Sequence, residues 1–531
     1  MSILVAALLA LPVLAVVASV LAAPGETWPH PSHTALGSYI WSTCALVAGV
    51  AVGVTSIGVL SAWLVTAYRF PGRRALEWAL VLPLAMPAYV MAYAYTDWLQ
   101  FTGPVQSWLR AATGWEAREY WFPDVRSLWG AAAMLSFALY PYVYLIVRAA
   151  FLDLSRSALE AARLAGETPW GAFRRVALPL ARPAIAAGAA LALMETLADF
   201  GTVSYFGLEV FTTGIFKAWF SMGDRIAAGQ LSSGLLLFVL VVLLAERASR
   251  GRAAYASASR APAQPLRLGG AAAAVAFTAC AAPVVFGFAL PTAILLQLAL
   301  VDPEARWSLR VLALIANSFT VAGVTATAGV LLATVMVYAA RLSRSRAVAA
   351  ANRCASLGYA VPGAVIAIGV LVPLGAFDNW LAGRIEAAFG VKIGLLLTGT
   401  IAALVYAYLV RTLAVALQAI EAGLAKVTPS MEDAARSLGA SPLATLTRVH
   451  MPLLAPSLAA AALLMFVDVL KELPATFALR PFNFDTLAVE AYNLAKDERL
   501  AEAAVPSLVI VAVALVPLLA VIRRYFQATR S

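Results

Sequence analysis

The stretch S-A-L-E-A-A-R-L-A-G-E-T-P-W, from Ser157 to Trp170, returns 273 residues later as S-M-E-D-A-A-R-S-L-G-A-S-P-L, from Ser430 to Leu443. At this one offset Ser157 pairs with Ser430 and Glu160 with Asp433, and Ala161-Ala162-Arg163 pairs with Ala434-Ala435-Arg436. Gly166 then pairs with Gly439, Pro169 with Pro442, Pro179 with Pro452, and Pro183 with Pro456. Chance does not hold so many punctuating residues in register, so the chain carries an internal duplication.

Each copy spells a helix–turn–helix. Ser157 with Glu160, and Ser430 with Asp433, have capping-box spacing. Gly166 and Gly439 supply the left-handed residue that ends a short helix. Thr168-Pro169 and Ser441-Pro442 place an N-cap before a proline at the first helical position. Pro179 and Pro452 are expected to stop this second helix before the next apolar run. A pair of amphipathic helices lying on lipid is the plainer alternative. Two copies of one shape at equivalent places better suit a dimeric soluble partner.

Outward from these loops the chain is 62% hydrophobic and 12% charged, with mean hydropathy +0.84. That composition needs a non-aqueous solvent. Apolar runs near the roughly 20 residues that cross a bilayer fall at 2–22, 38–67, 75–97, 128–150, 183–203, 230–246, 270–299, 311–340, 351–376, 393–418, 456–471 and 503–522. The fold class is therefore an all-α membrane protein of about twelve transmembrane helices, since only helices close their backbone hydrogen bonds inside one such run. The duplication divides them into two homologous six-helix halves, residues 1–250 and 270–531, related by a pseudo-two-fold along the membrane normal. Residues 251–269, rich in Ala, Ser, Arg and Pro, read as a cytoplasmic linker.

The +10 net charge does not point to nucleic acid, because the arginines cluster in short loops between apolar runs. Arg69, Arg73 and Arg74 follow the second run, Arg156 to Arg182 the fourth, Arg247 to Arg267 the sixth, and Arg341, Arg344 and Arg346 the eighth. Lys426, Arg436 and Arg448 follow the tenth, and Arg523, Arg524 and Arg530 the last. Basic exits after every even run put both termini in the cytoplasm. Residues 2–22 imitate a signal peptide but lack a positive n-region, and read as the first span. Cys44, Cys280 and Cys354 show no metal spacing and read as small hydrophobes. His30 and His33 sit in a Pro-rich loop; no metal site is assigned.

Four acids stand out after the loops. Glu195 and Asp199 are four apart, as on one helix face, and the offset maps them onto Asp468 and Glu472. An ionisable group inside a span costs roughly 2.5–3.5 kcal/mol on insertion scales, so such groups usually face a cavity and work. Carboxylate oxygens would suit a hard cation in a translocation path. The plainer alternative leaves Asp199 and Glu472 at helix ends, with Lys471 pairing an acid locally.

Glu-Ala-Ala, a glycine three residues after the arginine, then V-A-L-P or V-H-M-P, resembles the EAA-loop signature of ABC importer permeases. The resemblance covers both halves as a fused pair and implies a type I importer fold. It also implies that Glu160, Ala161, Gly166, Asp433, Ala434 and Gly439 contact two copies of a separate cytoplasmic ATPase, and that a periplasmic binding protein delivers cargo. Asp433 in place of Glu is the departure. ATP and Mg would be used by the ATPase, since no GxxxxGK[ST] sequence occurs here; the chain itself is expected to bind no cofactor and to be no enzyme. M-E-T-L-A-D-F-G-T-V-S-Y-F-G (Met194 to Gly207), T-T-G-I-F-K-A-W-F (Thr212 to Phe220) and K-E-L-P-A-T-F-A-L-R-P-F-N-F-D-T-L (Lys471 to Leu487) resemble the fused ferric-iron permeases. The fused thiamine permease shares the loops and length. A twelve-span ion-coupled carrier is the alternative of a different class; it has no reason to keep paired EAA loops. A membrane enzyme finds no HExxH or Ser/His/Asp set here.

Overall fold

A computed structural model describes residues 2–22, 35–116, 119–153, 162, 164, 166–250, 265–301, 308–343, 345–392 and 394–528. Among them eleven helices are long and apolar enough to cross a membrane. The helix pair Arg73–Ala85 and Ala88–Thr113, bent by 93°, is apolar enough to make a twelfth if the two count as one span. The run at 75–97 is thus a bent pair rather than one straight helix. Pro83 and Pro87 bracket the break, where a proline ring removes a backbone donor and crowds the preceding turn. The run at 351–376 is also divided: a polar helix Arg346–Ser356 ends before Pro362, and the span proper is Gly363–Phe389.

The chain forms two compact units that draw on both sequence halves. One comprises 1–30, 214–236 and 307–490; the other comprises 31–213, 237–306 and 491–531. In the second unit three helices make the core: Leu36–Ala67, Leu128–Leu152 and Leu178–Ala198. The first unit repeats this core with Leu309–Leu342, Ile401–Leu424 and Met451–Leu470. The starts Leu36, Leu128 and Leu178 and the starts Leu309, Ile401 and Met451 keep the 273-residue offset. The duplication read from the loops is therefore also a duplication of the packed core.

Each unit holds the opening span of the other sequence half. Helix Ser2–Ala18 packs on Gly363–Phe389 and Arg346–Ser356, and the Tyr406 hydroxyl donates to the Leu8 carbonyl at 2.5 Å. Helix Leu290–Val301 packs on Leu500–Ala528. The linker leaves one ordered trace: Leu266–Arg267 pairs in parallel with Tyr68–Arg69, and Leu268 N–H donates to the Arg69 carbonyl.

Helices in lipid gain little from apolar burial against one another, so close backbone approach and small residues hold them. Gly188 shows this: a Cβ there would stand 2.7 Å from the Val143 Cα on the neighbouring helix. Gly188→Val is expected to cost about 1–3 kcal/mol by overpacking, read as a lowered unfolding temperature in detergent. Gly323→Ala, with open space around it, is the control and should leave that temperature unchanged or raised.

Candidate coupling and translocation sites

From the turns at Gly166 and Gly439 onward, the described residues of the repeated loops fold alike. In the first, Gly166 has φ +83° and Glu167 N–H donates to the Ala162 carbonyl at 3.0 Å. In the second, Gly439 has φ +79° and Ala440 N–H donates to the Ala435 carbonyl at 3.0 Å. These six-to-one bonds around a left-handed glycine are the Schellman ending expected from the sequence. Thr168 Oγ1 then accepts from Gly171 N–H at 3.0 Å, and Ser441 Oγ accepts from Ala444 N–H at 3.2 Å. Pro169 and Pro442 occupy the first helical positions. Of the six residues expected to touch a partner, Gly166, Asp433, Ala434 and Gly439 are in these turns; Glu160 and Ala161, with Ser157 and Arg163, lie outside the described residues.

Two local expectations are corrected. Ser430 and Asp433 do not form a capping box. Pro429 starts the helix Pro429–Ser437, with Thr428 in the cap position, so Ser430 is already inside the first turn. Asp433 instead pairs with Arg436 at 2.5 Å, both exposed. Nor do Pro179 and Pro452 stop the short helices. Each runs through a π-helical turn, Phe173–Ala177 or Leu446–His450, straight into its span, giving continuous apolar helices Pro169–Ala198 and Pro442–Leu470. The wider turn contains Arg175 or Arg448, the carbonyl four residues before the proline that its ring would otherwise strike.

The loop tips carry exposed apolar side chains. Leu164 is 90% exposed and Trp170 59%; Leu438 is 89% and Leu443 69%. Trp170 and Leu443 are equivalent in the repeat. Apolar side chains set on hydrogen-bonded turns amid basic residues suit a protein surface better than water.

The acids sit differently from the sequence expectation. Helix Leu178–Ala198 ends before Asp199, and Met451–Leu470 ends before Glu472, so neither pair shares one helix face. Asp199 is extended, at ψ 131°. Its carboxylate accepts from Thr202 Oγ1 at 3.0 Å and Val203 N–H at 3.1 Å, heading the short helix Gly201–Tyr205. Glu472 does the same for Pro474–Leu479, accepting from Ala475 N–H, Thr476 N–H and the Thr476 hydroxyl at 3.0, 3.0 and 2.8 Å. Glu472 is buried, with Arg411 at 3.7 Å. Asp468 pairs with Lys471 at 3.1 Å, both partly exposed, and Glu195 is half-buried. Among the described residues no three His, Cys, Asp or Glu side chains gather as a metal would need.

Sequence reasoning missed Glu432. Its carboxylate accepts from Arg341 Nε at 3.0 Å and lies 3.3 Å from His450 Nε2. Nothing in the repeat signals it, because the matching position is Leu159.

Residues 54–250 and 326–529 each match the family described as binding-protein-dependent transport system inner membrane component. The chain is 26% identical over 476 residues to an Fe(3+)-transport system permease protein of Haemophilus influenzae, covering 88% of this chain and 86% of that one. It is 25% identical over 485 residues to a probable ABC transporter permease of Sinorhizobium fredii, 85% and 80% of the two chains. A sulfate transport system permease of Escherichia coli is 31% identical over 216 residues, 39% of this chain and 74% of that one.

Glu472→Ala is expected to cost about 1–3 kcal/mol by leaving buried donors unpaired, whereas Asp468→Ala, losing a partly exposed pair, should cost less than about 1 kcal/mol. Thermal unfolding of the two purified variants reads the difference.

Proposed function

The chain belongs to the binding-protein-dependent transport system inner membrane components, and from that premise we propose that it is the fused permease of an ABC importer that moves ferric iron from a periplasmic binding protein to the cytoplasm. Two copies of a separate ATPase would sit on the loops centred on Gly166 and Gly439, using ATP and Mg. The single observation carrying the coupling reading is the duplicated Schellman turn with exposed apolar tips. A rigid turn can transmit a push that a mobile loop would absorb. In a bacterial inner membrane, the basic exits after even-numbered runs support a cytoplasmic side for these turns and for both termini.

Ferric iron is supported by the relative that spans both halves and is named for Fe(3+) transport; the sulfate permease aligns over a single stretch of 216 residues. In this reading Asp199 and Glu472 hold the broken helices open at the path, while Glu195 and Asp468 supply hard oxygens along it.

The assay is uptake of radiolabelled ferric iron by cells lacking their own importer and expressing this chain with its ATPase and binding protein. Iron accumulation that requires all three chains is expected; sulfate accumulation in its place would overturn the cargo. Replacing both Gly166 and Gly439 with Val should abolish transport with the chain still in the membrane, since a β-branched residue at positive φ is strained. Glu195→Ala with Asp468→Ala should reduce iron uptake sharply with the chain still folded and in the membrane; wild-type uptake would remove these acids from the path.

A further inference from the structure

Among the described residues the two loops share the turn at Gly166 or Gly439 but differ in the contacts beside it. In the first, Glu167 pairs with Arg175 inside the loop itself. The second has Ala440 and Arg448 at those places and cannot form that pair. It is held from outside instead. Arg341, in the last turn of Leu309–Leu342, donates through Nε to Glu432 at 3.0 Å and through Nη2 to the Val427 carbonyl at 2.8 Å. One turn earlier, the Tyr338 hydroxyl donates to the Pro442 carbonyl at 2.7 Å. His450, only 1% exposed, stands edge-on to the Tyr338 ring at 5.3 Å with Nε2 3.3 Å from Glu432. Neither of its ring nitrogens has a hydrogen-bond partner. The Glu432 carboxylate therefore ties the end of one span to the helix Pro429–Ser437, and it lies beside His450 of the π turn that begins the next span without a hydrogen bond to it.

The first copy of the repeat lacks these residues. The first copy has Val65, Tyr68, Leu159 and Ala177 where the second has Tyr338, Arg341, Glu432 and His450. None of the four is chemically equivalent to its counterpart. Half-buried charge pairs cost solvation and are weak evidence of stability, but they fix geometry well because alternatives leave a charge unpaired. Arginine adds direction, since its planar fork reaches two acceptors at once.

We propose that Arg341 and Glu432, with Tyr338 on Pro442 and His450 packed beside them, form a clasp that positions the second loop for its ATPase, so that this chain presents two non-equivalent coupling contacts, one braced within the loop and one hung from the preceding span. These are positioning residues: they act through the turn at Gly439. The proposal rests on the reading that both loops meet an ATPase, and the experiment separates the two.

Hydrogen exchange on the purified chain reads the clasp without any partner or cargo. Glu432→Gln and Arg341→Met should each speed exchange in 427–441 at least several-fold and leave 166–172 unchanged; Glu167→Gln should do the reverse. Arg341→Lys should restore part of the protection, and the charge exchange Arg341→Glu with Glu432→Arg should restore more than either single change. In the assembled complex with its ATPase, Glu432→Gln should lower transport per ATP hydrolysed, and Glu167→Gln should not lower it equally. Unchanged exchange at 427–441 in both single variants, or no rescue by the charge exchange where the singles unfold, overturns the clasp. A Leu438→Cys variant that never cross-links to the ATPase, with exchange behaving as expected, would leave the clasp standing and remove the docking reading.

Discussion

Within lipid no water is present to receive a stray backbone N–H, and that constraint governs this molecule. Where a helix must stop inside the apolar zone, something in the chain has to take over the donors it frees. Here the same solution occurs twice, 273 residues apart. Asp199 and Glu472 each turn a carboxylate onto the first N–H groups of a new short helix. The short helix that follows each third core helix is thus capped by a carboxylate of the chain's own.

That arrangement changes the meaning of the acids. A carboxylate in an apolar run reads from sequence as a ligand for cargo, and the cost of inserting it argues for work of some kind. The work shown for Asp199 and Glu472 is architectural. Helix ends are fixed by backbone geometry within a turn, which composition does not resolve. Asp199-Phe200-Gly201 and Glu472-Leu473-Pro474 contain the break, and only the second is plainly marked, by its proline.

The loops were legible because their signals are local. Left-handed glycines, the N-cap hydroxyls of Thr168 and Ser441, and first-position prolines act on their immediate neighbours and appear where the sequence puts them, whereas the Ser430 capping box does not form. The core repeat followed for the same reason. The exchange of opening spans between compact units was illegible, because hydropathy describes each run alone and says nothing of its neighbour. Glu432 was hidden for a related reason. Its partners Arg341 and His450 are distant in sequence and absent from the other copy, so neither spacing nor self-comparison could reveal them. Arg341 looked like one more basic flank.

The π turns at Phe173–Ala177 and Leu446–His450 have an effect on how these spans meet lipid. A widened turn takes up one extra residue without advancing the ordinary ladder, and each residue swings an α-helix by about 100°. A helical wheel drawn in a single phase from Pro169 or Pro442 therefore slips as it crosses the widening. The greasy stripe above the slip and the one below it face different ways, so an alignment that deletes one residue there would re-aim every side chain beyond it.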